Sequence, residues 1–213
     1  MSIADFIKKS PFKTFAKGEL LLQEGDCPKK LFAVQDGFVK VTALDDSGSE
    51  SMLWIAGRYD MVPTELLFSP QGAVRFFYTA YTDVAVYEID KAEFLDFAKN
   101  DHSLMSEIAY SMSSHYDDLL GRVCSIEQTV VRDKIMHTLY NLAKRFSAED
   151  SVDLFSLGLK LTHQDIADMV GATRETASIE LQKLRRKRLI IYNRSKLIVH
   201  TERLAPFVAG APA

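Results

Sequence analysis

Residues Leu161–Leu189, LTHQDIADMVGATRETASIELQKLRRKRL, decide how the rest of the chain is read. They predict two short helices joined by a tight turn. Thr162 is placed to cap the first helix, and Asp165 three residues on completes a reciprocal cap. Ile166, Met169 and Val170 give that helix one apolar face. Gly171 falls where the chain must bend sharply, in a backbone conformation that favours glycine. Thr173 is placed to cap a second helix running from Arg174 to about Lys187, on which Ala177, Leu181 and Leu184 share one face. Arg174, Glu175, Ser178 and Gln182 point elsewhere. Small Ala167 and Ala177, with Gly171 between them, let the two helices pack closely, which is the helix-turn-helix pattern.

Reading bases in the major groove of DNA requires long polar side chains at the exposed N-terminal end of a helix. Arg174 can donate to the two acceptors of guanine, and Glu175 can accept from cytosine. Lys183, Arg185, Arg186, Lys187 and Arg188 at the far end can neutralise phosphates. The expected DNA-contacting set is Arg174, Glu175, Ser178, Thr173, Thr162, Gln164 and Lys183. A helical hairpin with a solvated basic end would share most of these features. The segment directly after the helix is more specific: Leu189–Tyr192, a polar turn Asn193-Arg194-Ser195, and Leu197–His200 predict a two-stranded wing there.

The stretch QDIADMVGATRETAS, followed by a short wing, resembles the DNA-binding domain of the Crp/Fnr transcription regulators. In that family the residues matching Arg174 and Glu175 contact bases, and an arginine usually stands at the place of Ile179. Ile179 cannot hydrogen-bond a base, although it can touch a thymine methyl. The resemblance therefore implies base contacts from Arg174 and Glu175, with a half-site that differs from the family's usual one.

The chain has 213 residues, 47% of them hydrophobic, enough to bury one large or two small cores. No apolar run reaches the roughly 18 residues of a membrane span. The start, MSIADFIKKSPF, lacks the apolar stretch and small-residue cleavage site of a signal peptide, so a cytoplasmic protein is expected. Two cysteines, Cys27 and Cys124, lie far apart without CxxC spacing, which argues against a disulfide framework or a zinc site. Charge is unevenly distributed. Residues 1–129 hold 12 Lys and Arg against 20 Asp and Glu, whereas residues 130–213 hold 14 against 9. An acidic front and a basic back fit a nucleic-acid module attached to something else.

From Phe15 to Asp90 short runs rich in Val, Phe, Tyr and Leu alternate with turns: ELLLQ, KLFAV, FVKVTAL, SMLWIA, RFFYTAY and VAVYEI. This regular spacing predicts an antiparallel β-roll or barrel, preceded over residues 1–14 by a short helix and a loop. The region resembles the cyclic-nucleotide-binding β-roll that precedes the helix-turn-helix in Crp/Fnr proteins. The segment PTELLF around Glu65 looks like that fold's phosphate-binding cassette, in which a glutamate holds a ribose hydroxyl and an arginine pairs the cyclic phosphate. Thr64 replaces the glycine before Glu65, and the arginine position falls, within one residue, on Arg75. Glu65, Thr64 and Arg75 are the effector-pocket candidates of the roll. An iron-sulfur cluster would need more cysteines. Haem would need an axial ligand, and His102, His115 and His137 read as ordinary histidines. Neither cofactor, nor a metal, is expected. A free, unreactive role is the simpler reading for Cys27 and Cys124.

Lys91–Asn100 predicts a short helix, and Ser103 to about Val131 a long one. Met105, Met112, Leu119 and Ile126 are spaced by seven, with Ile108, Tyr116, Val123 and Val130 interleaved. This is a heptad seam over nearly four heptads, and it predicts either a coiled-coil homodimer or a helix packed on its own roll. A parallel dimer would place two recognition helices roughly 34 Å apart, one turn of DNA, and would favour a palindromic operator. In cyclic-AMP-responsive family members a Thr-Ser pair midway along this helix contacts the nucleotide. Leu119 and Leu120 stand there and cannot hydrogen-bond adenine, so cyclic AMP is not expected as the effector. An apolar seam at that level would hold the dimer active without ligand or pack against a different molecule. Asp133–Phe146 predicts a further helix, 147–153 a loop, 154–161 an extended segment, and 205–213 a loosely held tail.

The expected architecture is α+β: an N-terminal antiparallel β-roll of jelly-roll type (1–101), a dimerisation helix (102–131) and a C-terminal winged helix-turn-helix (132–213). The expected function is a homodimeric, sequence-specific DNA-binding transcription regulator, controlled by a small effector other than cyclic AMP and touching RNA polymerase if it activates. The alternative is a nucleotide-binding sensor module that regulates a protein partner. No nucleophile–base pair or phosphate-cradling loop suggests an enzyme.

Overall fold

A computed structural model describes residues 6–46, 48–69, 72–146, 155–157, 159–192 and 197–208. The chain divides into two compact units, Met1–Met112 and Ser113–Ala213. The long helix expected over 102–131 is shared between them.

Two antiparallel four-stranded sheets build the first unit. One has the order β1 (Phe12–Phe15), β8 (Val84–Asp90), β3 (Lys30–Asp36), β6 (Met61–Val62). The other has the order β2 (Leu20–Leu22), β7 (Phe77–Ala80), β4 (Val39–Leu44), β5 (Glu50–Ala56). The six apolar runs of the sequence are thus six strands of a roll. The loop expected up to residue 14 is instead partly strand, because Phe12–Phe15 pairs along Val84–Tyr87. Side chains alternate across a strand, and β3 uses both of its faces. Phe32 and Val34 turn into the roll with Val41, Tyr78 and Val86. Leu31 and Ala33 turn outward and are buried with Ile89, Leu67, Phe94 and Ala98.

That outward layer exists because two helices cover it. Helix α1 (Lys91–Lys99) starts from Asp90, whose carboxylate accepts from the N–H groups of Ala92 and Glu93, and buries Phe94 and Ala98. Helix α2 (His102–Ile126) begins over Asp101, whose carboxylate accepts from the N–H groups of Ser103 and Leu104. Its first turns bury Leu104 and Ile108 in the same cluster, with Met105 packed against it.

This corrects the seam. Ile108, expected at a dimer interface, is only 2% exposed within its own unit, and Met105 packs there too. The helix also stops at Ile126 rather than Val131, leaving Val130 beyond it. The last turn is closed by Gln128, whose side-chain amide donates to the carbonyl of Cys124. Thr129 and Val130 then lie between the two helices, and the next one begins at Val131. What remains on one side of α2 is a solvent-facing stripe of Met112, Tyr116, Leu119, Leu120, Val123 and Ile126.

In the second unit the opposite side of α2 faces helix α3 (Val131–Phe146). A side chain at Gly121 would press on the Asn141 amide at 3.0 Å. That amide donates to the Ser125 hydroxyl, and Arg145 pairs with Asp118. The inner face of α3 buries Ile135, Met136, Leu139, Tyr140 and Ala143. Helices α4 (His163–Val170) and α5 (Arg174–Arg186) pack on it, followed by the wing β10 (Ile190–Tyr192) and β11 (Leu197–Val199), with β9 (Phe155–Leu157) pairing β11. The predicted turn 193–195 and loop 147–153 lie outside the described residues. The expected loose tail is corrected in its first part. Helix α6 (Thr201–Leu204) and the turn after it return to α3, burying Leu204 and Val208 one helical turn apart. The α+β architecture expected from the sequence is the one observed.

Replacing Ile108 by Ala should therefore lower the unfolding free energy of the first unit by about 2–4 kcal/mol, as for other buried large-to-small changes. Denaturant unfolding measures it. A loss well under 1 kcal/mol, accompanied by weakened self-association, would return Ile108 to the dimer seam.

Candidate nucleic-acid interface

The helix-turn-helix forms where local sequence dictates. The hydroxyl of Thr162 accepts from the N–H of Asp165 at 3.1 Å, and the Asp165 carboxylate accepts from the N–H of Thr162 at 2.7 Å. This reciprocal cap satisfies two N–H groups that α4 cannot pair internally. Gly171 ends α4 at φ +63°. Thr173 then caps α5, accepting from the N–H of Thr176 at 3.2 Å. The turn between the helices is thereby bounded by left-handed Gly171 and the Thr173 cap.

Helix α5 is sealed on one side by buried Ala177, Leu181 and Leu184. Its other side is exposed and carries Arg174 and Glu175 in the first turn, then Ile179, Gln182, Lys183 and Arg186. Ser178 is half-buried at the edge of that face. Thr162, Gln164 and Arg174 line one open concavity, together with Lys160, His163 and Arg185. Glu175, Ser178, Thr173 and Lys183 lie outside it along α5. Four of the proposed contacts also have partners within the chain, the Thr162 hydroxyl through its bonds with Asp165. Gln164 donates to Asp168 at 2.6 Å, Lys183 to Glu180 at 2.6 Å, and the Thr173 hydroxyl shares a 2.9 Å hydrogen bond with that of Thr176.

Sequence reasoning passed over Lys160, His163 and Tyr192. The His163 ring lies 5.0 Å from that of Tyr192, whose hydroxyl donates to the carbonyl of Leu161 at 2.7 Å. This ties the wing to the start of α4. Burial, and then the nearby Arg174 guanidinium, hold the His163 imidazole below its usual value. Burial and then Asp165 push the Tyr192 phenol up. The only signal for this contact in the sequence was an aromatic residue at the end of a predicted wing strand, which names no partner.

In the roll, Thr64, Glu65 and Leu66 form a single 3₁₀ turn after β6. The Thr64 hydroxyl donates to the carbonyl of Met61. The Glu65 carboxylate accepts from the hydroxyl of Tyr78 at 2.7 Å. Tyr78 is fully buried among the roll's apolar side chains, against which Trp54 and Phe76 also pack. Its phenol is pushed up by burial and by Glu65, with Arg75 opposing. Glu65, Tyr78 and Arg75 are thus electrostatic neighbours, but Arg75 itself is exposed and lies 5.6 Å from the Phe76 ring. Tyr78 was absent from the expected pocket set because its run RFFYTAY read only as strand. Leu119 and Leu120 belong to the second unit and are exposed there.

Two family models match the chain. A cyclic nucleotide-binding domain covers residues 12–101, and a Crp-like helix-turn-helix domain covers residues 133–207. Among curated relatives, the CRP-like cAMP-activated global transcriptional regulator of Mycobacterium tuberculosis is 25% identical over 205 residues, covering 96% of this chain and 91% of its own. The anaerobic regulatory protein of Bacillus subtilis is 26% identical over 185 residues, covering 86% and 77%. Among solved structures, FixK2 from Bradyrhizobium japonicum superposes with a TM-score of 0.79 at 18% identity, over 95% of this chain and 99% of that one.

Replacing Tyr78 by Phe keeps the core filled but removes the donor to Glu65. We expect the first unit to lose about 1.5–3 kcal/mol of stability, the usual worth of a hydrogen bond to a charged group. Unchanged denaturation would show that this bond does not hold the turn.

Proposed function

The chain belongs to the Crp/Fnr family of DNA-binding transcription regulators, and from that premise we propose that two copies of it read a palindromic operator through paired α5 helices. The observation that carries this is the two-sidedness of α5. One face is committed to the core, and the other presents Arg174 and Glu175 on an exposed first turn with the cations Lys183, Arg185 and Arg186 behind. In this reading Arg174 donates to a guanine and Glu175 accepts from a cytosine. Thr162, Gln164, Thr173 and Lys183 set the register on the phosphates, and Ser178 lies at the groove wall.

Homodimerisation is supported by the stripe on α2. Tyr116 is 61% exposed, Val123 50% and Leu119 41%, on a helix whose other side is occupied by α3. Six large apolar side chains along one exposed helical face are what an isologous helix pair would bury. The effector we propose is not cyclic AMP. Tyr78 already supplies the hydroxyl that Glu65 would accept, Thr64 stands where a cassette glycine would be, and Leu119-Leu120 cannot hydrogen-bond adenine. RNA polymerase is the partner expected if the protein activates, and the cytoplasm its place of action. No helix among the described residues is long and apolar enough to cross a membrane.

Binding to duplex DNA should fall steeply with salt while keeping a sequence preference, because phosphate contacts release counterions and base contacts do not. Arg174→Ala should cost about 1–3 kcal/mol and relax preference at one base pair of each half-site. Full discrimination at every operator position in that variant would remove Arg174 from the reading set. For the dimer, Leu119→Glu should shift the solution mass toward one subunit in analytical ultracentrifugation. A wild-type protein that sediments as a single subunit at micromolar concentration would sink the dimer.

A further inference from the structure

We propose that Ile179 is a specificity-determining residue that reads a thymine through its C5-methyl group. The inference rests on the DNA-reading role proposed for α5 and adds the identity of one base. Helix α5 has four apolar residues, Ala177, Ile179, Leu181 and Leu184. Three are buried in the core. The fourth, Ile179, is 54% exposed.

Its position on the helix matters more than its exposure, since single surface apolar residues are common. Steps of three and four residues place side chains above one another. Glu175, Ile179, Gln182 and Arg186 therefore form one row. Counted at 3.6 residues per turn, that row lies opposite Ala177, Leu181 and Leu184. Ile179 is thus the sole apolar side chain on the outermost line of the face that meets the groove. It sits one turn beyond Glu175, at the depth where the next base pairs pass.

The chemistry available to it is narrow. Isoleucine neither donates nor accepts, so it gains nothing from guanine, adenine or cytosine edges. The one apolar group that the major groove offers is the thymine methyl. Isoleucine also suits that contact better than a flexible side chain would. Branching at Cβ restricts χ1 in a helix, so little rotamer freedom remains to be lost on contact. A polar base edge pressed against Ile179 would instead lose its water without a replacement hydrogen bond, which selects against the other pairs.

The test begins with selection of operators from random duplexes by the full-length protein. Thymines in the selected sequence are then replaced one at a time by deoxyuridine, which removes only the methyl group. We expect one thymine per half-site at which this change weakens wild-type binding about fourfold, the worth of roughly one buried methyl. In Ile179→Ser the same change should have no effect. In Ile179→Arg the selected base at that position should become guanine, because arginine pairs its two acceptors. Both variants sit on an exposed face and leave the core of α5 untouched. A selected operator whose affinity is indifferent to every thymine methyl would overturn this inference alone. An Ile179→Ser protein that keeps the full deoxyuridine penalty would do the same. Failure of the wild-type protein to select any sequence would overturn the DNA-reading proposal, and this inference with it.

Discussion

The commitment of the two sides of α2 to different tasks constrains everything C-terminal to it. One side is fastened to α3 by three contacts in a row: the Asp118–Arg145 ion pair, the close approach at Gly121, and the Asn141–Ser125 hydrogen bond. A Cβ at Gly121 would lie 3.0 Å from the Asn141 amide, which would have to shift by a few tenths of an ångström to admit it. With that side occupied by the chain itself, the apolar residues on the other side have no partner within the described unit. A stripe of this size left in water is costly. Helix α3 in turn supplies the floor on which α4, α5 and the wing are packed. Helix α3 is therefore the common support of α2 and of the helix-turn-helix.

The first unit shows how a strand buried on both faces organises a small roll. β3 serves the interior through Phe32 and Val34 and the helical cover through Leu31 and Ala33. The cover takes the start of α2 out of the dimer seam, because Leu104 and Ile108 have no surface left to offer. Inside the roll, Tyr78 makes a polar bond at the edge of an apolar core. Its burial is tolerable because Glu65 accepts a hydrogen bond from its hydroxyl. The turn that resembles a ligand-binding cassette is thus satisfied by a side chain of its own.

In the helix-turn-helix, geometry and electrostatics come from separate residues. Thr162, Asp165, Gly171 and Thr173 fix the backbone through capping hydrogen bonds and a left-handed turn. Arg174, Glu175, Ile179 and Gln182 carry no structural duty seen in the fold and are exposed. His163 lies between the two groups, a titratable ring held near Arg174 and against the wing. The residues proposed to read bases can therefore vary without disturbing the turn.

Features that depend on local chemistry were legible in the residues alone: the reciprocal cap at Thr162, the left-handed turn at Gly171, the apolar face of α5, six strands of the roll, and a basic C-terminal half. Each is a matter of a few neighbouring residues and a known period. The tertiary structure decided what depends on distant residues meeting. It placed Ile108 in the roll's cover rather than in a seam, because heptad spacing records which positions share a face but not what covers that face. It brought Tyr78 to Glu65 from thirteen residues away, and bound the wing to the start of α4 through Tyr192 and Leu161. It also returned the chain's last apolar residues, Leu204 and Val208, to α3. None of those contacts has a sequence period, since each is made by groups whose separation along the chain is arbitrary.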